Sequence, residues 1–280
     1  MLVRKARLVT PIVLGFAACA MAQAQTSSST RFSIGAKVWH ADWLSYLPAT
    51  YSGIDAGGRP ALGDSVNAVE GGAKTDVLPQ LGIVHGRFFA SASHGRFSTD
   101  FAVRTSPLLL PTGQTLVSTR TDYLKRRESD VNLGYAVTPE LSIALGYKDA
   151  TETRDVSLGV APQRTPLLNT RVRGLLLGAV GNFAVADKLR LYAQAGYGPA
   201  RLKADFYDRG ARLKTRGRYL IGEIGLSYPV FTTAQGMAAS VALGYRTQTV
   251  KTDSYDGVFQ ESRDLRDVRD GVVLSLNLSL

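Results

Sequence analysis

Apolar and polar residues alternate with a period of two along most of this chain, the pattern of strands whose two faces meet different surroundings. It is plainest in the last ten residues, "GVVLSLNLSL", where Leu274, Leu276, Leu278 and Leu280 alternate with Ser, Asn and Ser. The same reading predicts strands over about 31–43, two within 77–104, then 120–137, 141–154, 171–185, 189–202, 217–228, 237–250 and 268–280. That makes about ten strands, with eight or twelve as the neighbouring alternatives. Inside 77–104 the tetrapeptide "HGRF" occurs at 85–88 and again at 94–97. Phe88, Ala90 and Ala92 share one phase and Phe97, Thr99 and Phe101 take the other, which favours a turn at 94–96.

The connections alternate in length. Those near 94, 139, 187 and 233 are short, and those near 57, 111, 162, 210 and 257 are long. The first long connection, about 45–76, is rich in Gly, Pro and Ala and has no period. Short turns at one end and long loops at the other predict an all-β fold, a transmembrane up-and-down antiparallel barrel. Each strand reaches the roughly 9–11 residues that a tilted membrane strand needs. No apolar run after Thr26 reaches the length of a membrane helix.

The start has a different pattern. Arg4, Lys5 and Arg7 precede an uncharged apolar run, followed by the small-residue frames Ala20-Met21-Ala22 and Ala22-Gln23-Ala24. This order predicts a secretory signal peptide over 1–24, with cleavage after Ala24 favoured over Ala22 and the barrel over 25–280. Cys19, the single cysteine, falls in the discarded segment; its other reading is a lipid-attachment site. The exported chain then has no cysteine for a disulfide, a metal site or a nucleophile. Losing three bases with the signal lowers the formal net charge from +10 to +7.

The signal segment, the even run of alternating strands and the ending "RDGVVLSLNLSL" resemble Gram-negative outer-membrane β-barrel proteins. The resemblance is architectural and places the chain in no subfamily. It implies a location in the bacterial outer membrane and contact with its lipid. It also implies a last strand read by the barrel-insertion machinery, with Gly271, Leu274, Leu276, Leu278 and Leu280 carrying that signal. The class commonly ends on an aromatic residue, whereas this chain ends on Leu280.

Alternation alone does not say which face meets lipid. Three features decide for lipid: the asymmetry of the loops, an ending on a strand that lets first and last strands close the barrel, and the placement of the tyrosines. Tyr135, Tyr147, Tyr197 and Tyr245 follow "LG" or "AG", share the apolar phase and fall near strand ends, as does Tyr228. Two levels of tyrosine fit the aromatic girdles at the two membrane interfaces. The opposite phase then faces the lumen: Lys37, Arg126, Glu128, Asp130, Lys148, Glu152, Arg154, Arg190, Gln194, Glu223, Arg246 and Arg269. A charge turned to mid-membrane lipid costs about 2–4 kcal/mol. Several would exceed a domain's stability of about 5–15 kcal/mol. Seven bases against four acids predict either a lumen closed by ion pairs or a narrow pore favouring anions.

A second basic set shares the lipid-facing phase but lies beyond the apolar stretch: Lys125, Arg127, Arg171, Arg173, Arg201, Arg216 and Arg218. Guanidinium and ammonium groups pair well with phosphate, so these are expected to contact lipopolysaccharide; their other reading is ordinary solvated charge. For catalysis the pattern offers little. The histidines are His40, His85 and His94, and His40 with Asp42 is the one pair worth naming. No G-x-S-x-G or H-E-x-x-H motif is present. The expectation is therefore a passive barrel, a narrow pore or a structural or surface-interaction barrel, with no catalytic site, cofactor or metal. The runner-up is a hydrolase or lipid-modifying enzyme on the same barrel. The bases follow no nucleic-acid-binding motif, and nucleic acid is not expected as a partner.

Overall fold

The computed structural model describes residues 30–45, 49–54, 60–65, 69–103, 108–109, 115–116, 120–158, 164–207, 210–234, 236–252 and 266–280. The segment read as a signal peptide, with its cleavage site and Cys19, lies outside them. In chain order the strands are β1 (Thr30–Ser45), β2 (Ala49–Ile54), β3 (Pro60–Ser65), β4 (Val69–His85), β5 (Phe88–Val103), β6 (Leu108–Leu109) and β7 (Thr115–Leu116). They continue with β8 (Arg120–Ala136), β9 (Leu141–Leu158), β10 (Thr165–Ala184), β11 (Arg190–Phe206), β12 (Ala211–Thr232), β13 (Ala238–Thr252) and β14 (Arg266–Ser279).

Ten of these close into one antiparallel barrel in the order β1-β14-β13-β12-β11-β10-β9-β8-β5-β4 and back to β1. The remaining four form two small hairpins, β2–β3 and β6–β7, in the long connections. Closure leaves no strand at the edge of the sheet, so each strand finds a backbone partner on both sides without water, β4 and β5 over their lower parts only. The seam is made by the chain's two ends: β1 pairs with β14 from Ser33↔Ser279 to Ser45↔Asp267. Phe32 and Leu280 exchange backbone bonds at its foot, N–H to O, at 3.2 and 2.8 Å.

Outward positions carry the apolar phase. Leu177, Leu133, Leu81, Leu243, Ile224 and Leu276 are all exposed on the outer wall. A contiguous apolar surface that encircles a barrel has no place in water, where patches above a few hundred Å² are already unusual; it requires lipid. The strands run from 14 to 22 residues. About 9–11 tilted residues cross the hydrocarbon, so the barrel continues well past it on the side of the long connections.

The turn between the second and third barrel strands differs from the expectation. It falls at the first HGRF, between His85 and Phe88, with Gly86 at φ 57°; no turn occurs at 94–96, which lies inside β5. A two-residue hairpin needs positive φ, which Gly supplies without strain. The apparent change of phase has another cause. Phe88 faces lipid, whereas Phe97 faces the lumen and is 4% exposed. An inward aromatic imitates the lipid phase in the sequence.

β4 begins at Val69, so the first long connection is shorter than the expected 45–76 and contains the β2–β3 hairpin. The ladder between β4 and β5 is the shortest in the wall, from His85↔Phe88 to Gln80↔Ser93. It stops beside Pro79. In a two-residue hairpin the flanking pair exchanges both bonds, so the odd positions 81, 83 and 85 point their N–H groups at β5. Position 79 has that orientation and, being proline, no N–H to donate.

Candidate functional site

The expected lumen residues all sit on the inner wall. Lys37, Arg126, Glu128, Asp130, Lys148, Glu152, Arg154, Glu223, Arg246 and Arg269 are buried, and Arg190 and Gln194 are half-buried. Two ion networks organise them. In the first, the Glu223 carboxylate on β12 accepts from Lys37 on β1 at 2.7 and 2.8 Å. It also accepts from the Tyr192 hydroxyl at 3.1 Å, Gln194 Nε2 at 2.7 Å and Arg246 Nη1 at 3.0 Å. Four side chains from three strands saturate one buried acid.

The second network centres on Glu128. Lys148 Nζ lies 2.6 Å from it, Arg126 Nε donates at 3.1 Å and Gln248 Nε2 at 2.8 Å. Lys148 also binds Asp130, and Arg126 reaches Asp267 at 3.1 Å and Glu152 at 3.9 Å. Arg269 is 3.7 Å from Asp76 and lies over the rings of Trp39 and Phe97 at 4.3 and 4.5 Å. Trp43 meets Phe97 edge-on at 5.1 Å and donates its indole N–H to Asp267 at 3.2 Å. Nearer the short turns, Arg190 donates to the Asn182 side chain and backbone at 2.9 and 3.0 Å.

Two acids here escaped the sequence reading, Asp76 and Asp267. Each lies just before an expected strand start, in residues assigned to loops. With them the expected set holds six acids against seven bases, so the basic bias behind the anion-preferring pore largely disappears.

The lumen also holds an apolar cluster that the sequence reading did not single out. Leu168, Val172, Leu176, Leu202, Phe206, Tyr219 and Val250 are buried together inside β10–β13. Beside the ion networks lies a cavity of about 90 Å³. Lys37, Gln80, Asp130, Lys148, Gln194 and Arg246 line it, together with glycines 146, 178 and 196 of β9–β11. At about 30 Å³ per water it has room for roughly three molecules.

The basic set Lys125, Arg127, Arg171, Arg173, Arg201, Arg216 and Arg218 faces outward and is exposed throughout. Tyr147, Tyr197 and Tyr245 are exposed at the upper edge of the apolar wall and Tyr228 at the lower. Tyr135 packs edge-on to Phe88 at 5.1 Å at the lower edge. Leu274, Leu276, Leu278 and Leu280 face outward. Gly271 lets β14 approach β1 closely; a Cβ there would sit 2.0 Å from the His40 carbonyl oxygen.

The histidines all lie on the outer wall, each beside a hydroxyl of the next strand. His40 Nδ1 is 3.0 Å from Thr75 Oγ1, so its bond goes to Thr75 and not to Asp42. His85 pairs with Thr30 at 2.9 Å and His94 with Ser129 at 2.9 Å. Asp149, the acid opposite Ser129, is occupied by Arg171 at 2.8 Å and Arg173 at 3.1 Å, leaving the imidazole without an orienting carboxylate there. Among the described residues no group of three or more His, Cys, Asp or Glu could hold a metal ion.

A closed antiparallel wall with an unbroken apolar exterior decides the architecture. The chain is a transmembrane β-barrel of the outer-membrane type. No family model and no curated protein matches it. Among solved structures it is similar to the outer-membrane protease OmpT of Escherichia coli, at 11% identity and TM-score 0.44 over 95% of this chain and 98% of that one. It is also similar to the β domain of the Bordetella autotransporter BrkA, at 10% identity and TM-score 0.44 over 90% and 99%. A third is the outer-membrane protein OprG of Pseudomonas aeruginosa, at 9% identity and TM-score 0.33 over 91% and 97%.

Proposed function

We propose that this barrel is passive and that its lumen is closed to solutes, so that it serves as a structural or surface-interaction barrel of the outer membrane. The observation that carries this reading is the burial of the lumen charges. A residue lining a water-filled pore touches water, whereas Lys37 is 2% exposed and Arg269 1%. Their partners lie on distant strands, Lys37 on β1 bonding Glu223 on β12, while Gln248 on β13 bonds Glu128 on β8, five strands around the ten-strand wall, so opposite walls are tied together through the lumen. Recognition would then fall to the long connections and the outer surface.

The test is a planar-bilayer recording of the purified protein. The closed barrel gives no steady current, while Arg126→Ser with Arg269→Ser, which removes two large buried side chains from the Glu128, Asp267 and Asp76 ion pairs, opens one. A steady current from the unaltered protein, changed in ion preference by Arg190→Ser or Arg246→Ser, would establish the narrow pore instead. The non-enzymatic reading has its own check: lipid and peptide hydrolysis assayed with the unaltered protein and with Ser129→Ala and His94→Ala. Turnover lost in those two variants would replace it with a hydrolase.

A further inference from the structure

We infer that one sector of the outer wall, β8 to β12, is a docking surface for the phosphorylated headgroup of outer-leaflet lipopolysaccharide. The inference rests on the barrel's orientation in the membrane and does not depend on whether the lumen conducts.

Strand register turns scattered bases into rows. Arg127 pairs across to Thr151, Thr151 to Arg171, Arg171 to Lys203, and Lys203 to Lys214. One step nearer the membrane, Ser129, Asp149, Arg173, Arg201 and Arg216 form the next row. Arg218 follows, beside Pro199 and directly above the Tyr197–Leu220 pair that ends the apolar wall. Neighbouring strands lie about 4.8 Å apart, so this is a two-dimensional cationic field. It begins where the hydrocarbon ends, at headgroup depth.

Like charges placed directly opposite each other on a sheet are destabilising. Arg173, Arg201 and Arg216 are such neighbours, and so are Arg171, Lys203 and Lys214. Asp149 compensates only Arg171 and Arg173. Among the described residues Arg201, Lys203, Lys214 and Arg216 have no carboxylate partner. A ligand with several phosphates would supply the missing anions, and arginine meets phosphate with two parallel bonds.

The opposite wall at the same depth differs. Above Tyr245 and Val272 stand Thr247 and Asp270, and above Val38 stand His40 and Asp42. Tyr245 donates its hydroxyl to Asp270. Just above the tyrosines that wall presents acids where β8–β12 present bases, and its exposed bases Lys251 and Arg266 stand higher, Lys251 beside Arg218. The longest rows of directly opposed bases therefore lie on β8–β12, as a seat for a polyanionic lipid headgroup requires.

The test uses the full chain in lipid nanodiscs, with binding of lipopolysaccharide, dephosphorylated lipopolysaccharide and phosphatidylglycerol measured by native mass spectrometry. The double variant Arg201→Ser/Arg216→Ser should bind lipopolysaccharide about tenfold or more weakly, given the strength of charge-assisted bidentate bonds. Lys74→Ser/Lys188→Ser, which removes one exposed base from β4 and one from the short turn between β10 and β11, should bind as the unaltered protein does. Dephosphorylated lipopolysaccharide should bind about as weakly as the double variant binds the phosphorylated form. Equal loss in both double variants, equal binding of phosphatidylglycerol, or no loss on dephosphorylation would each overturn the proposal.

Discussion

The two ends of the same strands are built on opposite polarity. In the lower part of β11, Ala193, Ala195 and Tyr197 face outward while Gln194 and Gly196 face the lumen. In the upper part, Arg201 and Lys203 face outward while Leu202, Ala204 and Phe206 are buried inside. β10 does the same, with Leu175 and Leu177 outside and then Arg171 and Arg173 outside over a buried Val172. The phase of the strand never slips; what changes is the medium. Below the upper tyrosines the outer wall touches lipid, and above them it touches headgroups and water. There the barrel is constructed like a soluble one, with an apolar core. Across the lumen from that core, β14, β1, β4, β5, β8 and β9 fill the same height with buried ion pairs and the rings of Trp39, Trp43 and Phe97. Either filling excludes water, but they respond differently to substitution.

The largest effect is expected where a saturated charge loses its partner. Glu223→Gln leaves Lys37 and Arg246 buried without their shared acid and should cost about 3–5 kcal/mol. The measurement is denaturant unfolding in lipid vesicles followed by tryptophan fluorescence. Lys37→Met added to it should recover part of the loss; no recovery would mean that the acid holds the lumen by something other than charge.

Next come two changes that probe the two media directly. Ile224→Arg, on the outer wall between Leu220 and Tyr228, places a charge in mid-membrane and should cost about 2–4 kcal/mol. Leu202→Ala, inside the protruding barrel, should cost roughly 2–3 kcal/mol, the lower part of the range for a buried leucine. Folding that tolerates Ile224→Arg but not Leu202→Ala would place the membrane around the wrong part of the wall. The smallest effect belongs to the outer surface near the loops. Arg212 pairs with Asp205 at 2.7 Å with its side chain 82% exposed, so Arg212→Ala should change stability by less than about 1 kcal/mol.

The sequence makes the membrane half of this comparison legible, because one-sided alternation and the cost of charge in lipid together assign both faces. Ten strands and their closure follow from that. The upper half is harder to read. Leu168, Leu202 and Phe206 continue a period of two, but with the apolar member on the polar phase, and a rule that places leucine in lipid gives them no role. Phe97 is the same case, and it moved the expected turn from Gly86 to 94–96. Asp76 and Asp267 were lost at strand boundaries, which alternation fixes poorly once a strand leaves the hydrocarbon. The ion pairs themselves are beyond the sequence: Lys37 and Glu223 stand 186 positions apart, and only barrel closure brings them together.

The most direct measurement is a nitroxide scan along β11, one spin label at a time from Ala193 to Phe206, in lipid bilayers. Odd positions should favour collisions with oxygen up to Tyr197 and with a water-soluble nickel complex from Arg201 onward, while even positions meet neither reagent. A label at Leu202 or Phe206 that collides freely with either reagent, or an oxygen preference that continues through Lys203, would contradict a filled barrel crossing from lipid into water.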